Sequence, residues 1–216
     1  MLSFSSKERG KRPVTWALPD FSLYKNYPFS DKVLVEALWH VLDGADLIVG
    51  HNIDKFDLKR INAQFLLHGL TPPSPYKTVD TLKLIKKVFA FNSNKLDDLC
   101  KALGIGQKVK HYGFELWLGC MRGDPKSWAL LKKYNAKDVI LSEKFYDRIR
   151  AWDDTHPNIT LDTNQSLRCP VCGSKTQKRG FKNLKTYRLR QYWCINPKCH
   201  KYSTGERERL TAKVLS

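Results

Sequence analysis

Apolar residues recur at helical spacing from Asp31 onward, at Val33, Leu34, Ala37, Leu38, Val41 and Leu42. That spacing lays one apolar stripe along a helix, with Ser30 as the expected N-cap and Gly44 at its end. The run DLIVG that follows is short, apolar and closed by Gly50, which predicts a buried strand. A second helix is expected within GHNIDKFDLKRINAQF, with Leu58, Ile61, Phe65 and Leu66 on its apolar side and Gly69, Pro72 and Pro73 to stop it. Further helices are predicted at VDTLKLIKKVF, at NKLDDLCKALGI with Gly104 as terminator, and at DPKSWALLKKYNAKDVILSEKFYDRIRAW with Pro125 in its first turn. Helices alternating with strand predict an α/β domain.

Beyond that domain the composition changes. Turn residues and charges gather in DDTHPNITLDTNQS, so the expected organisation is a domain over 1–153, a linker over 154–167, a cysteine-bearing domain over 168–204 and a basic tail over 205–216. A chain of 216 residues accommodates one ordinary domain and a small one. No apolar run is long enough to span a bilayer, and MLSFSSKERGKRPV lacks the apolar core and cleavage site of a secretory signal. The expectation is a cytoplasmic protein without a membrane partner, whose six cysteines begin as thiols. Oligomeric state is not legible.

Charge narrows the class of partner. The formal net charge is +17, and from Thr160 to Ser216 thirteen Lys and Arg stand against three Asp and Glu. Such an excess points to a polyanion, most simply nucleic acid, ahead of an acidic membrane surface. The competing reading is a solvated basic face with no partner.

Cysteine spacing adds a metal. Cys100 falls on the apolar side of its predicted helix and is expected in the core, as is Cys120. The other four form two pairs, Cys169 and Cys172 in CPVCG and Cys194 and Cys199 in CINPKCH, with 21 residues between the pairs. Two such pairs fit a tetrahedral thiolate Zn²⁺ site, a zinc ribbon. The second pair is spaced more widely than usual, so His200 competes with Cys199 as fourth ligand. Between the pairs, KTYRLRQYW alternates as a strand and interleaves Lys185, Arg188 and Arg190 with Tyr187, Tyr192 and Trp193. Cations neutralise phosphates and aromatic faces stack on bases, a combination suited to single strands. Lys185, Arg188, Arg190 and Tyr192 are the substrate-binding candidates, whereas Trp193, beside a ligand, is assigned to the ribbon's core.

Two carboxylate motifs remain. Asn52, Asp54 and Asp57 lie at a strand-to-helix junction, where α/β proteins place ligands. Asp54 is read as complementing the helix dipole. Tyr134 and Asp138 stand four residues apart and so share one helix face. Together GHNIDKFD and YNAKD resemble the second and third motifs of the DEDD superfamily of 3'-5' exonucleases in its tyrosine form. GHNIDKFD is similar to the version in proofreading domains of family B DNA polymerases, and the resemblance spans roughly Asp31 to Trp152. It implies a ribonuclease H-like exonuclease domain joined to the zinc ribbon, with Asp57, Tyr134 and Asp138 catalytic. It also implies Mg²⁺ or Mn²⁺ held by Asp57 and Asp138, water oriented by Tyr134, and Asn52 on the substrate side, chiefly fixing its loop. Single-stranded DNA is the favoured substrate, with RNA the alternative.

The superfamily's first motif, Asp-x-Glu on a central strand, is absent: no Asp before Asp57 is followed two positions later by Glu. The domain is N-terminally incomplete in this sense, and MLSFSS reads as a later strand of the same sheet. A longer product carrying that strand is the favoured explanation, and a noncatalytic nucleic-acid-binding protein on a decayed scaffold is the rival. A transcription-factor-like zinc ribbon beside an unrelated α/β domain explains the tail alone.

Overall fold

The computed structural model describes residues 1–160 and 168–209. The linker expected over 154–167 and the tail expected over 205–216 therefore lie partly outside the described residues. Two compact units divide the chain, Met1–Tyr146 and Asp147–Ser216. The division falls before residue 153.

The first unit opens with a hairpin of β1 (Ser3–Ser6) and β2 (Val14–Ala17), paired antiparallel with Phe4 opposite Trp16. MLSFSS thus contains a strand. Helix α1 (Lys32–Asp43) buries Leu34, Leu38 and Leu42 of the predicted stripe together with Val35, which the stripe did not include, while Val41, expected inward, is exposed. Asp31 rather than Ser30 precedes it, and its carboxylate does not cap the helix, because the Met1 amino group and His68 occupy its two oxygens.

Strand β3 (Leu47–Gly50) pairs in parallel with β4 (Lys77–Asp80). The sequence pattern assigned Val79 and Asp80 to a helix; they end a strand instead, and α3 (Thr81–Val88) starts after them. Asp80 makes the break, since its Oδ1 accepts from Leu82 N at 2.9 Å and Lys83 N at 3.4 Å. Among the described residues the β1–β2 hairpin and the parallel β3–β4 pair remain separate two-stranded sheets. All four residues of β3 are only half-buried, unlike a parallel strand flanked on both sides.

Helix α2 (Asp57–Leu67) buries Leu58 and Phe65, but Leu66, expected inward, is 80% exposed. Its end is a Schellman turn: Gly69 takes φ +70°, Leu70 N donates to Phe65 O and Gly69 N to Leu66 O. Gly104 (φ +65°) closes α4 (Leu96–Ala102) in the same way. Helix α5 (Phe114–Met121), which the sequence reading did not separate, approaches α6 (Pro125–Ile149) so closely that a Cβ on Gly119 would lie 2.1 Å from Ser127 Oγ. Asp124 caps α6 through Ser127 N at 3.0 Å and Ser127 Oγ at 2.6 Å.

The core joins Phe4, Ala17 and the buried face of α1 to Leu58, Phe65, Leu116, Cys120, Trp128 and Leu131. Cys100 and Cys120 are both fully buried, as expected, and burial pushes each thiol up to about 11.

The second unit is built on a meander of β5 (Thr176–Asn183), β6 (Tyr187–Cys194) and β7 (Tyr202–Arg209), with β6 central. Strand β7 continues through Arg209, past residue 204. Cys169, Val171, Cys194 and Cys199 form a small buried cluster. No helix among the described residues is long and apolar enough to cross a membrane.

Candidate functional site

The carboxylates of the first unit sit where β3 and β4 end. Gly50 is required there, because a Cβ would lie 2.6 Å from the Ile53 side chain. Asn52 follows with φ +63°, a conformation that Asn tolerates better than most residues. Its amide N donates to Asp80 Oδ1 at 2.9 Å and its carbonyl accepts from Phe56 N. Asn52 thus fixes the loop, and Asp57 becomes the first residue of α2.

Asp57 keeps solvent-accessible surface, yet withdrawal from solvent raises its carboxyl above the ordinary range; Arg60 opposes that rise and Asp80 adds to it. Asp54 instead pairs with Lys83 Nζ at 2.6 Å, so a lysine on α3 is its partner, not only the helix dipole. Asp80, absent from the sequence-level candidates, is 6% exposed, and its Oδ2 is buried without a hydrogen-bond partner among the described residues.

On α6, Tyr134 and Asp138 meet at a third residue that periodicity did not reveal. Lys108 Nζ donates to Asp138 Oδ2 at 2.6 Å and to the Tyr134 hydroxyl at 3.4 Å. The segment between α4 and α5 that carries it is anchored by Lys108 N donating to Asp97 Oδ1 at 2.7 Å. Burial works against the Lys108 ammonium, but the hydrogen bond and charge of Asp138 outweigh it and raise its pKa. Burial and the Asp138 charge raise the Tyr134 phenol, against Lys108. His111 packs edge-on against Tyr134 at 4.8 Å, and the two share a cleft of about 400 Å³ with Lys101, Lys108 and Lys110.

Asp138 Oδ1 is buried without a partner among the described residues. Buried carboxylate oxygens that lack donors are costly unless something cationic satisfies them. Asp138 Oδ1 and Asp80 Oδ2 are therefore oxygens a hard divalent cation suits. Electrostatics link the two ends of the site: Asp80 acts on Asp57 and His51, and Lys108 acts on His51. His51 Nε2 donates to Asn94 O at 2.9 Å, and its Nδ1 lies 3.0 Å from the Thr81 hydroxyl, which is itself 3.2 Å from Gly50 O. Among the described residues no hydrogen bond or ion pair joins Asp57 to Asp138.

In the second unit the four candidate sulfurs converge, all within 4.8 Å of one another. Cys169 and Cys199 lie 3.8 Å apart and Cys172 and Cys194 3.5 Å apart, too far for disulfides. Each pair is held in a tight turn, by Gly173 N to Cys169 O and by Cys199 N to Asn196 O. Burial pushes Cys199 up to about 11 and also raises Cys194; against burial, hydrogen bonds from Ser174 bring Cys172 down to about 6. His200 stands outside the sulfur cluster with its ring 4.9 Å from that of Trp193. The cluster suits zinc.

The aromatic assignment of β6 is reversed. Tyr192 is 7% exposed and lies against Gly205, where a Cβ would come 2.7 Å from its ring, so it offers no free face for stacking. Trp193 is the more open ring, edge-on to Tyr202 at 4.6 Å. Arg188 and Arg190 both bind Glu208, at 2.7 and 3.4 Å, and both guanidinium groups cover the Phe181 ring. Lys185 is exposed in the turn between β5 and β6.

These sites stand in a chain whose residues 25–115 match the family model described as Exonuclease. The match includes β3, Asp57 and Lys108, and ends before Tyr134 and Asp138. Protein NEN3 of Arabidopsis thaliana is 32% identical over 78 residues, which cover 35% of this chain and 15% of NEN3.

Proposed function

We propose that the chain is the body of a metal-dependent 3'-5' exonuclease acting on nucleic acid, single-stranded DNA in preference to RNA, with a zinc ribbon that holds the strand. The observation that carries this reading is the buried, unpartnered Oδ1 of Asp138, one helical turn from Tyr134. The exonuclease match over residues 25–115 supports it. So do the two half-sheets, which a ribonuclease H-like sheet would leave if its central strand were supplied by an Asp-x-Glu segment.

Asp57 and Asp138 hold Mg²⁺ or Mn²⁺ in this reading. Bound there, such an ion would supply the positive charge that phosphodiester cleavage requires. Tyr134 orients water through its hydroxyl, and Asn52 holds the loop that presents Asp57 to the substrate. Lys108 neutralises Asp138 in the metal-free protein, the charge a divalent ion would supply there. Cys169, Cys172, Cys194 and Cys199 hold Zn²⁺, which orders the sheet beside them.

The noncatalytic rival rests on one observation, that Lys108 already supplies a counterion to Asp138. Digestion of a labelled single strand separates the two. A product extended by an Asp-x-Glu strand degrades it with Mg²⁺ or Mn²⁺, whereas the 216-residue chain shows little activity. An extended product that binds but never cuts would favour the rival.

A further inference from the structure

The two faces of the β5–β6–β7 sheet differ in charge. Cross-strand partners share a face. Register therefore puts Arg188, Arg190, Tyr192, Phe181 and Lys178 on one side with Glu208, where the two guanidinium groups are already paired. On the other side Trp193 stands opposite Tyr202, and Leu189 stands between Lys182 and Arg207. Arg179 lies on this side as well, its guanidinium 5.7 Å from the Trp193 ring. Among the described residues Arg179, Lys182 and Arg207 carry no ion pair.

We propose that this second face, and not the face of Arg188 and Arg190, takes unpaired bases of a nucleic-acid single strand. Trp193 and Tyr202 are the stacking rings, and Arg179 and Lys182 the phosphate contacts. The proposal rests on the nucleic-acid reading above and changes which residues do the binding. Tyr202 is 48% exposed, so a base reaches it without rearrangement. Beside it a cleft of about 460 Å³ is lined by Lys182, Gln191, Tyr202 and Thr204 of the same face, with His156 as a further wall. Gln191 and Thr204 offer polar groups to a base edge; of the two acids at this cleft, Asp154 is paired with Lys201 at 2.8 Å and Asp153 is buried, its Oδ1 accepting from Thr155 N at 2.9 Å. Every base has a π-face, and cations between aromatic rings follow its backbone; a neutral or cationic partner gains nothing from this arrangement.

The test uses the full zinc-loaded chain and a fluorescent oligothymidylate, read by anisotropy over a salt series. Tyr202→Ala should weaken binding by roughly 5- to 150-fold with little change in salt slope, and Tyr202→Phe should restore most of it. Lys182→Ala should lower the salt slope by about 0.7. Arg188→Ala should leave affinity nearly unchanged, with zinc content showing that each variant is folded. If Tyr202→Ala binds as the unaltered chain does, or Arg188→Ala loses more than Lys182→Ala, the proposal falls while nucleic-acid binding stands. No binding by the unaltered chain would overturn both.

Discussion

Lys108 and Asp138 lie on different elements, yet the lysine ammonium stands 2.6 Å from Asp138 Oδ2 and within reach of the Tyr134 hydroxyl. A side chain from the segment between α4 and α5 thus gives the α6 carboxylate the positive charge that a metal ion would otherwise supply. In the proposed reading the two cations would compete for one group.

Replacing Lys108 should therefore have opposite effects on stability and on metal affinity. Lys108→Ala leaves a half-buried carboxylate without its counterion and should cost about 1–3 kcal/mol in urea unfolding without metal. The same variant should bind Mn²⁺ more tightly, read from the electron paramagnetic resonance signal of free manganese. Unchanged Mn²⁺ affinity would separate Lys108 from the metal site.

In a product extended by an Asp-x-Glu strand, Asp57→Ala and Asp138→Ala should each abolish digestion of a 3'-labelled single strand while leaving binding nearly intact. Tyr134→Phe removes only the hydroxyl proposed to orient water and should slow cleavage by about 10²-fold or less. Asp54→Ala should be near neutral, since Lys83 is its partner on the surface. Full activity in Asp57→Ala would remove that residue from the site.

Purified protein should carry close to one zinc per chain, bound by the four cysteines. Cys169→Ser should release it and His200→Ala should not. A strong chelator should abolish the protected amides of β5–β7 in hydrogen exchange, because a unit this small lacks the core to hold the sheet without metal. Persistence of those amides in zinc-free protein would count against the ribbon.

Deletion from Leu167 onward should lower both the affinity for single-stranded DNA and its dependence on salt, as the cations of this segment are removed. Equal affinity in the truncated chain would make the basic segment a solvated surface.

Burial holds the His51 ring below its ordinary pKa of 6.5, so the fold selects the neutral form. The stability this gives is complete above 6.5 and is lost as pH falls from 6.5 through the lower folded-state value. His156, also buried, has the same sign in the second unit. Urea midpoints should drop between about pH 7.5 and about pH 5.5, and His51→Gln should narrow the difference in the first unit. An equal drop in that variant would assign the effect to other groups.

Helix existence was legible because its signals are local. The stripe through Leu34, Leu38 and Leu42 predicts α1 wherever the rest of the chain lies, and Gly69, Gly104 and Pro125 act within one turn. Four thiols at ribbon spacing likewise limit the chemistry before any coordinates. Long-range relations follow a different physics. Val79 and Asp80 join a strand because β3 offers a parallel partner and Asp80 binds Asn52, groups remote in the chain. Lys108 carries no periodic mark, since an isolated lysine outside any helix or strand reads as solvated until the fold brings Asp138 to it. Alternation in β6 announced two faces without saying which is inside, because a strand has period 2 and both its faces here carry aromatics, Tyr192 beside Arg188 and Arg190 on one and Tyr187 and Trp193 on the other. Only Gly205 against Tyr192, and Glu208 between two arginines, decided that Tyr192 goes inward and Trp193 stays open.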